Sequence, residues 1–321
     1  MAHIWSIKKQ SRAGNRGTRA IFGGGYVPDI TNKIEYITIA TTGDAADFGN
    51  LDNRADHGAY GGAIRGLFTA GKVPGSPDKD NEIHYVTIAT GGNSASFGDC
   101  TNPHRNCGGG CGSDTRGMPA IAGYSEPGYS DIIDYVTLAT TGNALDFGDV
   151  AEARAGGGAF SSPTRGFFFG GQTVGWPRKM EDEVEYFTIA STGDAADFGD
   201  LTTEDTLQGS ACSHTRGIAA GGNDGPSPTV TNAIDYFTLA TTGNATDFGD
   251  LTEAKYAMNN AAAGSITRGI FGGGTTGSYT DVIEYITIAT TGDAADFGDL
   301  SAATSGLAGC SNAHGGLNGG I

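Results

Sequence analysis

Four potential metal ligands, Cys100, His104, Cys107 and Cys111, fall within twelve residues of the chain. Thiolates and an imidazole are a donor set that tetrahedral zinc takes. Their spacing, C-x3-H-x2-C-x3-C, is not a common zinc pattern, and Cys212 and Cys310 stand in places similar to that of Cys111. The cysteines are therefore expected to be small, buried apolar residues with no metal bound. Zinc, or a disulfide among Cys100, Cys107 and Cys111, is the alternative. A second set is acidic: Asp44, Asp47 and Asn50, with equivalents such as Asp194, Asp197 and Asp200, could offer oxygens to Ca2+. Turn capping by Asp and Asn accounts for the same residues. The histidines, His3, His57, His84, His104, His214 and His314, are scattered, and no Ser-His-Asp pattern or phosphate-cradling loop accompanies them. These residues predict neither an enzyme nor a cofactor.

Charge narrows the partners. The chain has 321 residues, with 19 Lys+Arg against 36 Asp+Glu and a net charge of −17. Such a surface repels phosphate backbones, so nucleic acid is excluded as an expected partner. No apolar run reaches the length of a membrane span, and residues 1–17 lack the apolar core of a signal peptide. That segment is basic instead, with Lys8, Lys9, Arg12 and Arg16, and no acidic residue occurs before Asp29. It is expected to be an arm outside the folded body, docking on an acidic neighbour such as a second copy.

The elements that would position all these residues repeat. A Thr-Arg-Gly phrase or a near variant recurs with its arginine at Arg19, Arg65, Arg116, Arg165, Arg216 and Arg268. An Asp-Phe-Gly-Asp phrase or a variant recurs with its phenylalanine at Phe48, Phe97, Phe147, Phe198, Phe248 and Phe297. Six units of about 50 residues fill residues 18–321 and leave no room for a second domain. Within a unit, 153–161 is Gly/Ala-rich, 165–169 is apolar and ends at Gly170-Gly171, 184–190 is β-rich, and 195–201 is short. In Ile283-Glu284-Tyr285-Ile286-Thr287-Ile288 both faces of the strand carry apolar residues, so its sheet lies between two others. The prediction is an all-β, six-bladed propeller of four-stranded antiparallel blades. The first unit begins at its second strand, whereas the chain continues 24 residues past Phe297. Residues of about 301–312 are thus predicted to pair beside Arg19–Gly24 and close blade one. Each repeat arginine is expected to pair with the acidic residue before its blade's tyrosine, at Glu35, Asp134, Glu185, Asp235 or Glu284, with His84 breaking the series.

A Gly pair ending the second strand, a variable loop, a Tyr in the third strand and an aromatic opening the fourth resemble the kelch repeat. The pair is placed at Gly24-Gly25, Gly170-Gly171, Gly221-Gly222 and Gly272-Gly273, and is degraded to Ala70-Gly71 and Ala122-Gly123. The tyrosines are Tyr36, Tyr85, Tyr135, Tyr186, Tyr236 and Tyr285, and the aromatic is Phe where kelch has Trp. The phrase Ile-Glu-Tyr-Ile-Thr-Ile-Ala-Thr-Thr-Gly-Asp-Ala-Ala-Asp-Phe-Gly-Asp-Leu, at 283–300, resembles repeats of virion structural and tail-fibre-like proteins of marine bacteriophages, especially cyanophages. That resemblance implies a non-enzymatic virion part, such as a capsid decoration, tail or fibre component, with host-surface attachment as a further task. Its partners would be other virion proteins, further copies of itself or a host-surface glycan. It would be assembled in the host cytoplasm and carried on the particle. The kelch resemblance implies the alternative of a cellular protein-interaction module, and a copper-oxidase-like propeller is the third reading. The loops after the second strands carry the candidate contact residues Tyr26, Tyr124, Tyr129, Trp176 and Tyr279.

Overall fold

The computed structural model describes residues 18–75, 79–125, 128–174, 179–225, 229–258 and 262–318. The basic arm at 1–17, with Lys8, Lys9, Arg12 and Arg16, lies outside them, as does Trp176. Six four-stranded antiparallel sheets form the six blades of a β-propeller, and no helix occurs among the described residues. In blade four the strands run in the order Gly158–Ser161, Arg165–Phe169, Glu183–Thr188 and Ala196–Asp200.

Blade one is built from both ends of the described chain. Ala308–Ser311 pairs with Arg19–Gly23, Ala20 opposite Ser311 and Gly23 opposite Ala308. Arg19–Gly23 then pairs with Lys33–Thr38, and that strand with Ala46–Asn50. The predicted closure is present, with the paired stretch confined to the end of the predicted range. Asn312 Oδ1 accepts from Arg19 N at 3.3 Å. The same bond is made within other blades by Ser162 to Arg165 and Ser213 to Arg216.

The repeated phrases tie each blade to the next. The backbone N–H groups of Gly92 and Ser94, in the hairpin turn of blade two, donate to Phe48 O and Asn50 O of blade one, both at 2.8 Å. Asn93 Oδ1 in turn accepts from Asn50 N at 3.0 Å. All six junctions repeat that side-chain bond, through Asp44, Asn93, Asn143, Asp194, Asn244 and Asp293, at 3.0–3.3 Å. These turn residues hold the neighbouring blade's outer strand. The glycine of Asp-Phe-Gly follows from the same contact: Gly49 has φ +148°, and a Cβ there would lie 2.5 Å from the backbone of Gly92.

The repeat arginines do not pair with the acids predicted for them. Each guanidinium lies 4.5–4.8 Å from its own blade's Tyr ring, a cation–π contact. Each also donates forward to a carbonyl of the next blade: Arg19 to Ile88, Arg65 to Leu138, Arg116 to Ile189, Arg165 to Leu239, Arg216 to Ile288 and Arg268 to Ile39. The reason is strand alternation. Arg165 stands opposite Thr188, on the face that Tyr186 shares, and Glu185 points to the other face. The acids reach back instead: Glu35, Asp134, Glu185, Asp235 and Glu284 accept from the backbone N–H of Ser301, Thr101, Ala151, Thr202 and Thr252 in the preceding blade.

One glycine pair is shifted from its predicted place. In blade six the left-handed pair is Gly273-Gly274, at φ +66° and +105°, matching Gly24-Gly25 at +65° and +98°. The Phe-Gly-Gly-Gly run offers two registers, and the turn takes the later one.

Candidate functional site

The innermost strands converge on the propeller axis, which small side chains allow. Gly58–Gly61, Cys111–Gly112, Gly158–Ser161, Gly209–Cys212 and Ala308–Ser311 are Gly, Ala, Ser or Cys at most positions. The space left among Ala59, Ala159, Ser210, Ala263 and Gly309 is about 40 Å³. The chain encircles one end of it and crosses the other.

At the first end, a ring of left-handed residues surrounds the axis: Asp56, Asn106, Gly156, Leu207, Ala257 and Gly306, with φ between +49° and +74°. Five backbone bonds of 2.6–2.9 Å run around it, from Asp56 to Gly306, Asn106 to Asp56, Gly156 to Asn106, Leu207 to Gly156 and Gly306 to Ala257. Left-handed geometry costs a non-glycine residue roughly 1–2 kcal/mol, so Leu207 and Ala257 are held there by the ring.

At the opposite end the segment after Ser311 crosses the axis. Its Ala313 bridges Ser265 in blade six, and Gly315 N donates to Cys212 O of blade five at 3.1 Å. The imidazole of His314 meets Gly61 O in blade two at 2.5 Å and packs on Tyr60. Leu317 is buried, and its carbonyl meets His214 Nε2 at 3.0 Å. Asn318 N donates to Asp114 Oδ2 of blade three. A Cβ on Gly316 would lie 2.3 Å from both Gly112 O and Ser161 Oγ, so only glycine crosses at that point. The sequence reading missed this plug. Its signal is the pair Gly315-Gly316 followed by an isolated Leu317, past the last strand.

The ring of left-handed residues lies on the face of the long loops, and four of the five candidate aromatics stand there. Tyr26 donates to Asp56 Oδ2 at 2.7 Å, and Lys72 lies 5.6 Å from its ring. Burial, then the Asp56 carboxylate, pushes the Tyr26 phenol well above its ordinary pKa, with Arg105 opposing. Tyr124 has Lys79 at 4.2 Å and Arg105 at 5.1 Å from its ring. It meets Tyr129 edge-on at 5.8 Å, and Gln172 Nε2 donates to Tyr129 Oη at 3.1 Å. Tyr279 is 41 % exposed, the most open of the four. Tyr26, Tyr124 and Tyr129 thus form a seam of aromatic rings and cations over blades one to four. Its polar edges are already engaged, and Tyr279 is the ring left open to an outside partner.

The cysteine and histidine candidates divide. All five cysteines are free and buried. Cys100 and His104 approach each other, and Asp134 of blade three joins them, with ligand atoms within 4.8 Å of one another. Cys107 and Cys111 do not belong to that group: Cys107 packs with Tyr60 and Leu67, Cys111 with Met118 and Phe168. Burial raises the Cys100 thiol and the Asp134 carboxyl and lowers His104 to about 4. A second cluster, Asp52, Glu82 and His84, is an ion network in which Arg54 is the cation, 2.6 Å from Asp52 and 3.1 Å from Asp80.

Comparison with known protein families and with characterised proteins finds no match.

Proposed function

We propose that this protein is a non-catalytic propeller that works through its outer surface, as a structural part of a virus particle whose long-loop face meets a partner. The filled axis carries this reading. All six blades converge there, and the chain's own tail crosses that place, leaving about 40 Å³ among the inner strands. A drug-sized ligand needs several hundred Å³. The blade-to-blade bonds at every junction suit a part that must keep its shape under load.

The assignment to a particle, as capsid decoration, tail or fibre component, is supported by the repeat phrase at 283–300. The partners proposed are other virion proteins, copies of itself and, at the exposed Tyr279 ring, a host-surface glycan, since ring faces stack on sugars. The Gly pairs and third-strand tyrosines favour a second reading, a kelch-type interaction module of cellular origin. Particle purification separates the two: co-purification in a fixed, symmetric copy number is expected, and recovery only as a free cellular protein would overturn the virion reading. For the surface role, Tyr279→Ala is expected to weaken cell or glycan binding without moving the melting temperature.

A further inference from the structure

The six junctions between blades share one buried position, two residues before each member of the left-handed ring: Arg54, His104, Arg154, Asp205, Lys255 and Thr304. It faces the residue that precedes the tyrosine of the next blade. Arg154 pairs with Glu185, and Lys255 with Glu284. Arg54 finds carboxylates in Asp52 and Asp80, and Glu35, opposite Thr304, is served by Lys33 of its own blade. At the junction of blades four and five Asp205 faces a second acid, Asp235, and the junction of blades two and three has an acid, Asp134, and no such cation. In its place stands His104, 2 % exposed, with neither ring nitrogen hydrogen-bonded. A buried imidazole with two unmet polar atoms costs free energy unless something occupies them.

The third member of the group is also local to this junction. Leu51, Val150, Leu201, Leu251 and Leu300 occupy the position three after the Asp-Phe-Gly phenylalanine in the other blades, and Cys100 stands there in blade two. The backbone bends to bring it to His104. Along Asp80–Thr87, Glu82 faces Asp99, yet Asp80, two residues earlier, faces His104. Four residues on one strand, Cys100–Pro103, therefore stand against one, Asn81, on the other. This bulge brings the imidazole of His104 and the thiol of Cys100 into one cluster.

We propose that Cys100 Sγ, a His104 ring nitrogen and an Asp134 carboxylate oxygen bind one Zn2+, which supplies at this junction the positive charge that Arg154 and Lys255 supply at theirs. Sulfur, nitrogen and oxygen donors in one cluster suit zinc, with the fourth tetrahedral position open to water or to the second Asp134 oxygen. Binding forms Zn–S, Zn–N and Zn–O bonds with no change of oxidation state, and the Cys100 thiol proton leaves to solvent. The Thr101 N–H and Oγ1–H bonds to Asp134, both under 3 Å, orient the carboxylate. The site staples two blades and departs from the sequence expectation that no metal binds.

Metal analysis of the full chain purified without chelator tests this, with Co2+ exchanged in as a spectroscopic probe. About one zinc per chain is expected, with a thiolate-to-cobalt charge-transfer band after exchange. Cys100→Val, which restores the branched residue that blade three carries at Val150, should fold, lose the band and lower zinc content roughly tenfold or more. Asp134→Asn should weaken binding, whereas Cys107→Ala and Cys111→Ala should leave content and spectrum unchanged. Folded wild-type protein that takes up neither Zn2+ nor Co2+ would overturn the proposal. So would a spectrum that survives Cys100→Val and vanishes with Cys107→Ala or Cys111→Ala.

Discussion

The junctions of blades three–four and four–five share one backbone arrangement and differ in charge. At the first, Arg154 and Glu185 form a fully buried ion pair, and Ala151 N adds a hydrogen bond to the carboxylate. At the second, the equivalent residues are two acids, Asp205 and Asp235. Thr202 and Thr203 donate to them, and Asp205 Oδ1 has no hydrogen-bond partner. Burial first, and then neighbouring carboxylates including Asp235, raises Asp205 to about 7. A propeller therefore tolerates either chemistry at one place, because the hydrogen bonds around it set the backbone. What changes is the response to pH and to mutation.

The largest effect should come from removing the closing strand outright. A chain ending at Leu300 loses the Ala308–Ser311 strand and the plug, so Arg19–Gly23 is left without its inner partner, and blades six and one keep the rim bonds of Asp44 and Arg268. Loss of the cooperative melting transition is expected, and the fraying of one blade alone would show that the ring does not depend on this closure. Next, Arg154→Met leaves Glu185 buried and alone, and should cost about 3–5 kcal/mol in denaturant unfolding. The double variant Arg154→Met, Glu185→Leu should recover most of that loss, since an apolar pair of similar volume avoids burying a charge.

The four–five junction should respond oppositely. The folded pKa of Asp205 is raised, so the folded state holds a proton that the unfolded chain gives up near pH 4. Stability is then greatest below about pH 4 for this group and is lost as pH rises towards about 7. Asp205→Asn should raise the melting temperature at pH 8 by a few degrees and leave it nearly unchanged at pH 4, while Arg154→Met destabilises at both. Equal gains at the two pH values would sever Asp205 from the pH response. The smallest effect is at the rim. Asn143→Ala removes one exposed hydrogen bond to Asp99 N and should cost about 1 kcal/mol or less.

Much of this architecture was legible because it repeats. Phe48 and its five counterparts, the turn residues and the missing first strand of unit one specified the blade count and the closure. The partners of the repeat arginines were misread because sequence adjacency put Glu185 beside Tyr186, whereas strand alternation sends them to opposite faces. At the metal cluster, Cys100 and His104 could be read from spacing, but Asp134 lies in the next blade. Cys107 and Cys111 looked equivalent by spacing until the bulge at Cys100–Pro103 turned only His104 inward. The aromatic face was legible as loop composition; its cations Lys79 and Arg105 were not, because they reach Tyr124 from another blade.

Closure by a distant strand also sets a timetable for biosynthesis. Arg19 and the Asn312 that caps it are 293 residues apart. At about 5–20 residues per second, ribosomes need roughly 15–60 s to cover that interval. Blades two to five can assemble as they emerge, but Arg19–Gly23 spends that time with an unpaired edge, and the axis stays open. An open edge invites pairing with another nascent chain. The interval from Gly23 to Ala308 is therefore the period in which this protein is most exposed to misassembly on a crowded polysome, and slower translation lengthens it.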